Sequence, residues 1–380
     1  MKIGDHLFWK EVVMEDLKLI VFDNIKEVGE EVDKYLMKMN KTDKSYIMDV
    51  KRSRFNNGEG KVRIEETIRD KDVFILSDVG NYDITYEMHG MKVPMGPDEH
   101  FQDIKRSISA LSGYAKRITV VTPLLYQSRQ DKRWGRESLD CALALQELER
   151  LKINHIVTFD VHDKNVANAI PNLPFENFFP TNIILEELIK DESINNLLVI
   201  SPDMGAMERA RYYADMLKCD VGMFYKRRDL TKLVNGKNPI VEHAYMGAEV
   251  EGKDILVVDD MIASGSSMIE VGQKLREKGA KKIFFITTFA LFTEGIQIFE
   301  EAYKNKYFDK LYTTNVSYIP DKYKKNKWLK VVNCSKRLAE IIDYIHEGKS
   351  LKKIVHGNEK IIKLLEETHA RNSRRTNKKK

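Results

Sequence analysis

The sequence predicts an α/β protein in two domains, and three observations carry that reading. Short runs of branched apolar residues, such as Ile255 to Val258, suit strands buried on both faces and alternate with apolar stripes at helical spacing. The composition changes at Phe175 to Thr181, and the scheme of helix and strand then restarts. The length, 380 residues, is enough for two domains with a substantial core.

Composition narrows the class. The chain is 42% hydrophobic and 32% charged, as globular proteins are. No apolar run reaches the length of a membrane span, and the opening MKIGDHLFWK has no apolar signal core, so a soluble, cytoplasmic protein with no membrane partner is expected. Cys141, Cys219 and Cys334 lack metal-binding or redox spacing and read as buried or free thiols of a reducing compartment. Net charge is +5, but the last ten residues, RNSRRTNKKK, hold six bases; the body is near neutral, and no nucleic-acid partner is expected.

In chain order, LKLIVFDN reads as a strand and residues 25–39 as a helix. SYIMDVKRSRF is a second strand, Phe55 to Glu59 a turn by its Asn-Gly core, KVRIEETI an alternating strand and DVFILSD a buried one. Residues 80–98, rich in Gly and Pro, are expected as a surface excursion, followed by a helix over 98–112 with Phe101, Ile104, Ile108 and Leu111 on one face. ITVVTPLL is the next buried strand. Past its end lie Arg129, Lys132, Arg133 and Arg136, where α/β sheets bind ligands and where guanidinium forks grip phosphate oxygens.

A helix over 139–151 leads to the strand INHIVTF, with Asp160 and His162 at its end. In the second half, residues 182–190 are helical, NLLVIS is a strand ending in Ser201-Pro-Asp-Met-Gly205, and residues 206–217 form a helix carrying Arg209 and Arg211. A short strand then precedes Lys226-Arg227-Arg228, cations well placed to neutralise a transferring group. In residues 254–278, DILVVDDMIASGSSMIEVGQKLREK, a buried strand ends in Asp259 and Asp260, a small-residue loop follows, and a helical stripe begins at Met268. Backbone N–H groups, the hydroxyls of Ser264, Ser266 and Ser267, and the helix N-terminus can together wrap a phosphate, which Gly265 lets approach closely. The two carboxylates can accept from ribose hydroxyls or sit near a metal. KKIFFITTFALF, a helix over 294–303, KLYTTNVSYI and the helix in CSKRLAEIIDYIHEG complete the pattern, before an amphipathic helix bearing Ile354, Ile361, Leu364 and Leu365.

VVDDMIASGSS resembles the phosphoribosyl pyrophosphate loop of type I phosphoribosyltransferases and ribose-phosphate pyrophosphokinases. Five further stretches resemble the second family in its own order: Phe55-Asn-Asn-Gly-Glu59, Arg129-Gln-Asp131, Asp160-Val-His162, Ser201-Pro-Asp203 and Lys226-Arg-Arg228. The resemblance spans roughly residues 17–347 and implies two tandem type I phosphoribosyltransferase-like domains, each a parallel sheet flanked by helices. The implied divisions are 17–178 on the ATP side, 179–333 for ribose phosphate, 334–347 as a helix returning to the first domain, and 348–380 as an extension.

The implied reaction moves the β,γ-diphosphoryl group of ATP to the C1 hydroxyl of D-ribose 5-phosphate, giving AMP and 5-phosphoribosyl 1-pyrophosphate. The resemblance gives ATP to Phe55, Asn57, Glu59, Arg129, Gln130, Asp131 and His162. It gives ribose 5-phosphate to Asp259, Asp260, Ser264, Gly265, Ser266 and Ser267. His162 and Asp203 would organise Mg²⁺, Lys226 and Arg228 would act in catalysis, and a homo-oligomer, hexameric or dimer-based, is expected. The chain departs from the family at Asn57 and Tyr225, which replace Asp, at Ala263, which replaces a third loop Asp, and at Phe289, where the family has His. These departures support an alternative, a catalytically weak regulatory paralogue. A phosphoribosyltransferase acting on a base would share only the loop.

Overall fold

The computed structural model describes residues 16–228, 240–355 and 361–367. The chain divides into two compact units. The first holds residues up to Phe179 with Asn315–Tyr318 and Asn333–Val355; the second holds Pro180–Thr314, Ile319–Val332 and the C-terminal residues.

In the first unit, β1 (Leu17–Val21) leads through α1 (Lys26–Asn40) to the antiparallel pair β2 (Val50–Arg54) and β3 (Gly60–Ile64). Then come β4 (Asp72–Leu76), the hairpin β5 (Thr85–Met88) and β6 (Met91–Pro94), and α2 (Pro97–Leu111). β7 (Arg117–Val121), α3 (Asp140–Arg150), β8 (His155–Phe159) and β9 (Phe175–Phe178) follow. The sheet is parallel with order β1-β4-β7-β8-β9, so it is wound in one direction and every strand opens on the same edge. β4 is buried along its whole length, as its branched sequence requires.

The second unit runs α4 (Thr181–Asp191), β10 (Leu197–Ser201), α5 (Met207–Leu217), β11 (Asp220–Arg228), β12 (Ile240–Met246), β13 (Asp254–Ile262) and α6 (Ser266–Glu277). β14 (Lys282–Ala290), α7 (Gln297–Lys304), β15 (Lys310–Thr314) and β16 (Leu329–Val332) complete its sheet, whose order is β12-β11-β10-β13-β14-β15-β16. Successive residues of β13 enter opposite cores: Ile255 and Val257 join Phe285 and Phe308, while Leu256 and Val258 join Ile184 and Tyr213. Both units are thus parallel α/β sheets flanked by helices, apart from the antiparallel edge strand β12.

The helix α8 (Ser335–His346) belongs to the first unit. His346 Nδ1 lies 2.7 Å from Asp72 Oδ2, and Arg117 donates to both the Asp72 carboxylate and the His346 carbonyl, tying the helix end to the start of β4.

Several sequence expectations are corrected. Residues 80–98 hold a β-hairpin rather than a plain excursion: His89 and Gly90 both take positive φ, making the two-residue turn that strand twist favours. The strand in SYIMDVKRSRF is confined to Val50–Arg54, and only Ile47 bridges to β1. The helix expected over 294–303 starts at Gln297, after Gly295 at φ +81°. Of the residues expected on an amphipathic helix, Ile361, Leu364 and Leu365 pack into one core of the second unit, and residues 356–360, which join them to Ile354, lie outside the described residues. The basic tail lies outside the described residues. Among the described residues, no helix is long and apolar enough to cross a membrane.

Candidate functional site

The second sheet reverses direction at β10. From β10 the chain passes to β11 on one side, and β13 then returns to the other side. The carboxyl ends of β10 and β13 therefore flank a topological switch point, where open α/β sheets bind ligands. Asp203 follows β10, and Asp259 and Asp260 lie in the carboxyl-terminal half of β13. Asp203 Oδ1 accepts from the N–H groups of Gly205 (2.8 Å) and Ala206 (3.1 Å), a local Asx turn that fixes the carboxylate ahead of α5.

Asp260 is 2% exposed, and its N–H donates to Asp259 Oδ1 at 2.9 Å. Arg209 reaches across from α5, with Nη1 3.8 Å from Asp259 Oδ1 and 3.9 Å from Asp260 Oδ1. Burial pushes the Asp259 carboxyl well above the usual range, the Asp260 carboxyl beside it adds to the rise, Arg209 opposes it, and Asp203 contributes further repulsion. Arg209 is what permits two acids to share this edge. Its sequence position marked it as basic but gave it no partner, because the pairing spans 50 residues. Thr287 was also missed; its hydroxyl donates to the Asp260 carbonyl at 2.9 Å and pins the strand end.

The loop 263–265 then turns into α6. Gly265 sits at φ +90°, which favours glycine, and its carbonyl accepts from Ile269 N. Ser264 and Ser266 hydroxyls are 3.2 Å apart, and Ser266 and Ser267 are exposed in the first helical turn. Donors therefore converge at the N-terminus of a twelve-residue helix beside the acidic pair. Ala263 offers no carboxylate there, and its carbonyl accepts from Thr293 N at 3.0 Å.

Lys226 and Arg228 stand otherwise than expected. They do not follow a short strand but lie within the last residues of β11, where Lys226 pairs with His243 and Arg228 with Ile240 of β12. Antiparallel pairing with a distant segment lengthened the strand; their side chains lie outside the described residues.

In the first unit, Arg129, Gln130 and Asp131 follow β7, and Asp160 and His162 follow its neighbour β8, all at the carboxyl edge. Arg129 is exposed. Gln130 is held by its side chain's bond to the Ser138 carbonyl (3.1 Å), and Asp131 keeps Oδ2 buried without a hydrogen-bond partner. Asp160, at φ +40°, is buried, while His162 is exposed. Phe55, Asn57 and Glu59 sit apart from this edge, in the turn of β2–β3: Asn57 Nδ2 donates to Glu59 Oε2 (3.0 Å), and the Phe55 ring is 54% exposed.

No group of three or more His, Cys, Asp or Glu that could hold a metal occurs among the described residues.

A parallel sheet with a switch-point acidic pair and a small-residue phosphate loop is the arrangement of phosphoribosyl transferase domains, and that family model matches residues 181–318. The model for the N-terminal domain of ribose phosphate pyrophosphokinase matches residues 17–151. A ribose-phosphate pyrophosphokinase from Vibrio parahaemolyticus is 27% identical over 344 residues, covering 89% of this chain and 98% of its own. One from Burkholderia pseudomallei is 30% identical over 246 residues, covering 64% and 70%. The crystal structure of phosphoribosylpyrophosphate synthetase from Mycobacterium smegmatis shares the fold, with TM-score 0.73 over 88% of this chain and 99% of that one at 23% identity. The chain belongs to the ribose-phosphate pyrophosphokinase family, a family of transferases.

Proposed function

We propose that the protein transfers the β,γ-diphosphoryl group of ATP to the C1 hydroxyl of D-ribose 5-phosphate with Mg²⁺, releasing AMP and 5-phosphoribosyl 1-pyrophosphate, as a cytoplasmic homo-oligomer. The observation that carries this reading is the junction of Asp259 and Asp260 with the Ser264–Ser267 helix start at the switch point.

Loop N–H groups and serine hydroxyls hold the 5-phosphate, and Gly265 keeps the loop in its left-handed turn. Asp259 and Asp260 accept from ribose hydroxyls, whose approach favours the ionised form of the raised Asp259. Arg129 and Gln130 donate to the nucleotide phosphates, and the unpartnered Asp131 Oδ2 is an acceptor for a donor group of the nucleotide. Phe55, Asn57 and Glu59 hold adenine. His162 and Asp203 hold the divalent ion with substrate oxygens; when bound it neutralises charge on the transferring group. Lys226 and Arg228 stabilise the charge that develops as AMP leaves. Such phosphoryl chemistry needs alignment and electrostatics more than covalent help.

The second reading is a catalytically weak regulatory paralogue, favoured by Ala263, where the loop lacks a third acid. One assay separates the two: AMP release from ATP and Mg²⁺ with and without ribose 5-phosphate. Release that depends on the sugar phosphate supports the enzyme; its absence leaves the regulatory reading.

A further inference from the structure

The hairpin β5–β6 rests on the turn that carries Phe55, Asn57 and Glu59. The N–H of His89, at the hairpin tip, donates to the Asn56 carbonyl at 2.8 Å. Gly58, at φ +91°, lies against Met88 so closely that a β-carbon there would stand 2.7 Å from the Met88 sulfur. Lower down, the Arg54 guanidinium lies over the Tyr86 ring, 5.2 Å from its centroid, and pairs with Asp103 at 2.8 Å; Asp103 also holds Arg106 at 2.6 Å. Within the turn, Phe55 N donates to Glu59 O and Gly58 N to Phe55 O, both at 2.8 Å. An open groove of about 480 Å³ separates Asn57 and Glu59 from Gln102 and Arg106 of α2, with Tyr86 and Met88 forming another wall. The helix supports the start of β3, where a β-carbon on Gly60 would meet the Arg106 guanidinium, whereas the tip of the turn at Asn56 and Gly58 touches the hairpin.

We propose that β5–β6 is a brace that fixes the Phe55–Glu59 turn in its base-holding geometry, with Met88 and His89 as positioning residues. This rests on the reading that the turn holds adenine. A five-residue turn with an exposed aromatic loses conformational freedom when a base stacks on it, and a brace that orders it beforehand removes part of that cost from binding. The brace acts on the base alone, so it affects base selection and leaves the sugar-phosphate site untouched.

The test replaces Thr85–Pro94 by Gly-Gly. Ile84 and Met95 are already bonded across the hairpin neck, Met95 N to Ile84 O at 2.7 Å, so the chain can close there. Equilibrium binding of ATP, GTP and ribose 5-phosphate is measured on the full chain, with the milder Met88→Ala and its conservative partner Met88→Leu. Expected are an ATP Kd raised about tenfold in the shortened protein, a reduced ATP-over-GTP preference and unchanged ribose 5-phosphate binding. Met88→Ala should show part of the effect and Met88→Leu little. Wild-type ATP affinity and base preference in the shortened protein would overturn the brace alone. Equal loss of all three ligands would also overturn it, since the hairpin would then serve only the fold. A wild type that binds ribose 5-phosphate but neither nucleotide would overturn the adenine reading of the turn and the brace with it.

Discussion

A β-carbon on Gly265 would overlap the ring of Phe299, a fully buried side chain of the second unit's core, and the glycine's φ of +90° disfavours any other residue. The glycine therefore serves the packing of α7 as well as the proposed approach of a phosphate. Gly265→Val is expected to destabilise the protein by about 1–3 kcal/mol through overpacking, before any ligand effect. Denaturant unfolding checks this, and an unchanged midpoint would show that the ring moves aside freely. Ser266→Ala is the cleaner probe of the sugar-phosphate site: KM for ribose 5-phosphate should rise with stability unchanged.

Asp259 offers a case where stability and binding oppose each other. Its folded pKa lies above the unfolded value, so its favourable contribution belongs to the protonated form and is lost as pH rises through the folded pKa. At neutral pH, Asp259→Asn should raise Tm, since Oδ1 can still accept from Asp260 N, while ribose 5-phosphate affinity falls. A Tm that drops instead would mean that the pairing with Arg209 outweighs the repulsion from Asp260.

Asp78, 1% exposed beyond β4, is a second raised acid, lifted by burial to about 6 from 3.8 against the opposing N–H groups of Gly80 and Tyr318 and the Ser317 hydroxyl. The folded protein binds this proton more tightly than the unfolded chain, so stability falls as pH rises from about 4 to 6, by on the order of 3 kcal/mol for this group. Asp78→Asn should flatten that slope in urea unfolding between pH 4.5 and 7. It should also lower stability at the acid end, because one amide edge faces N–H donors where the carboxyl accepted from Gly80 (2.9 Å) and Tyr318 (2.7 Å). A variant that keeps the full slope would assign it to another group.

Lys226→Ala should lower kcat by about 10²–10³ with little change in KM for either substrate, if this cation neutralises charge only in transfer. Near-normal turnover would reduce it to a β-strand lysine at the edge of β11.

Ala263→Asp should change activity at most modestly, because Asp259 and Asp260 already occupy this edge and a further acid adds repulsion. Steady-state AMP release is the measurement. A silent wild type switched on by this substitution would establish the regulatory reading.

Residues 254–277 were legible in the sequence because each of their causes is local. Branched residues make a strand buried on both faces, a glycine takes positive φ, and Met268, Val271 and Leu275 fall on one helical face. The positions of His162 and Asp203 just past strand ends were legible for the same reason, and Arg129 lies further along the loop after β7. What the tertiary structure decided is what depends on residues distant in the chain. Arg209 compensates two acids 50 residues away, and the Asp78 carboxylate is held by Tyr318, 240 residues on. β11 was lengthened through Lys226 by pairing with β12, which no local pattern around Lys226 announces. The hairpin at 85–94 escaped because its His-Gly turn lacks the usual Asn-Gly signal, and its strands are too short to establish a period. Local preferences choose strands, turns and helices; only the closed sheet decides which charges and which loops meet.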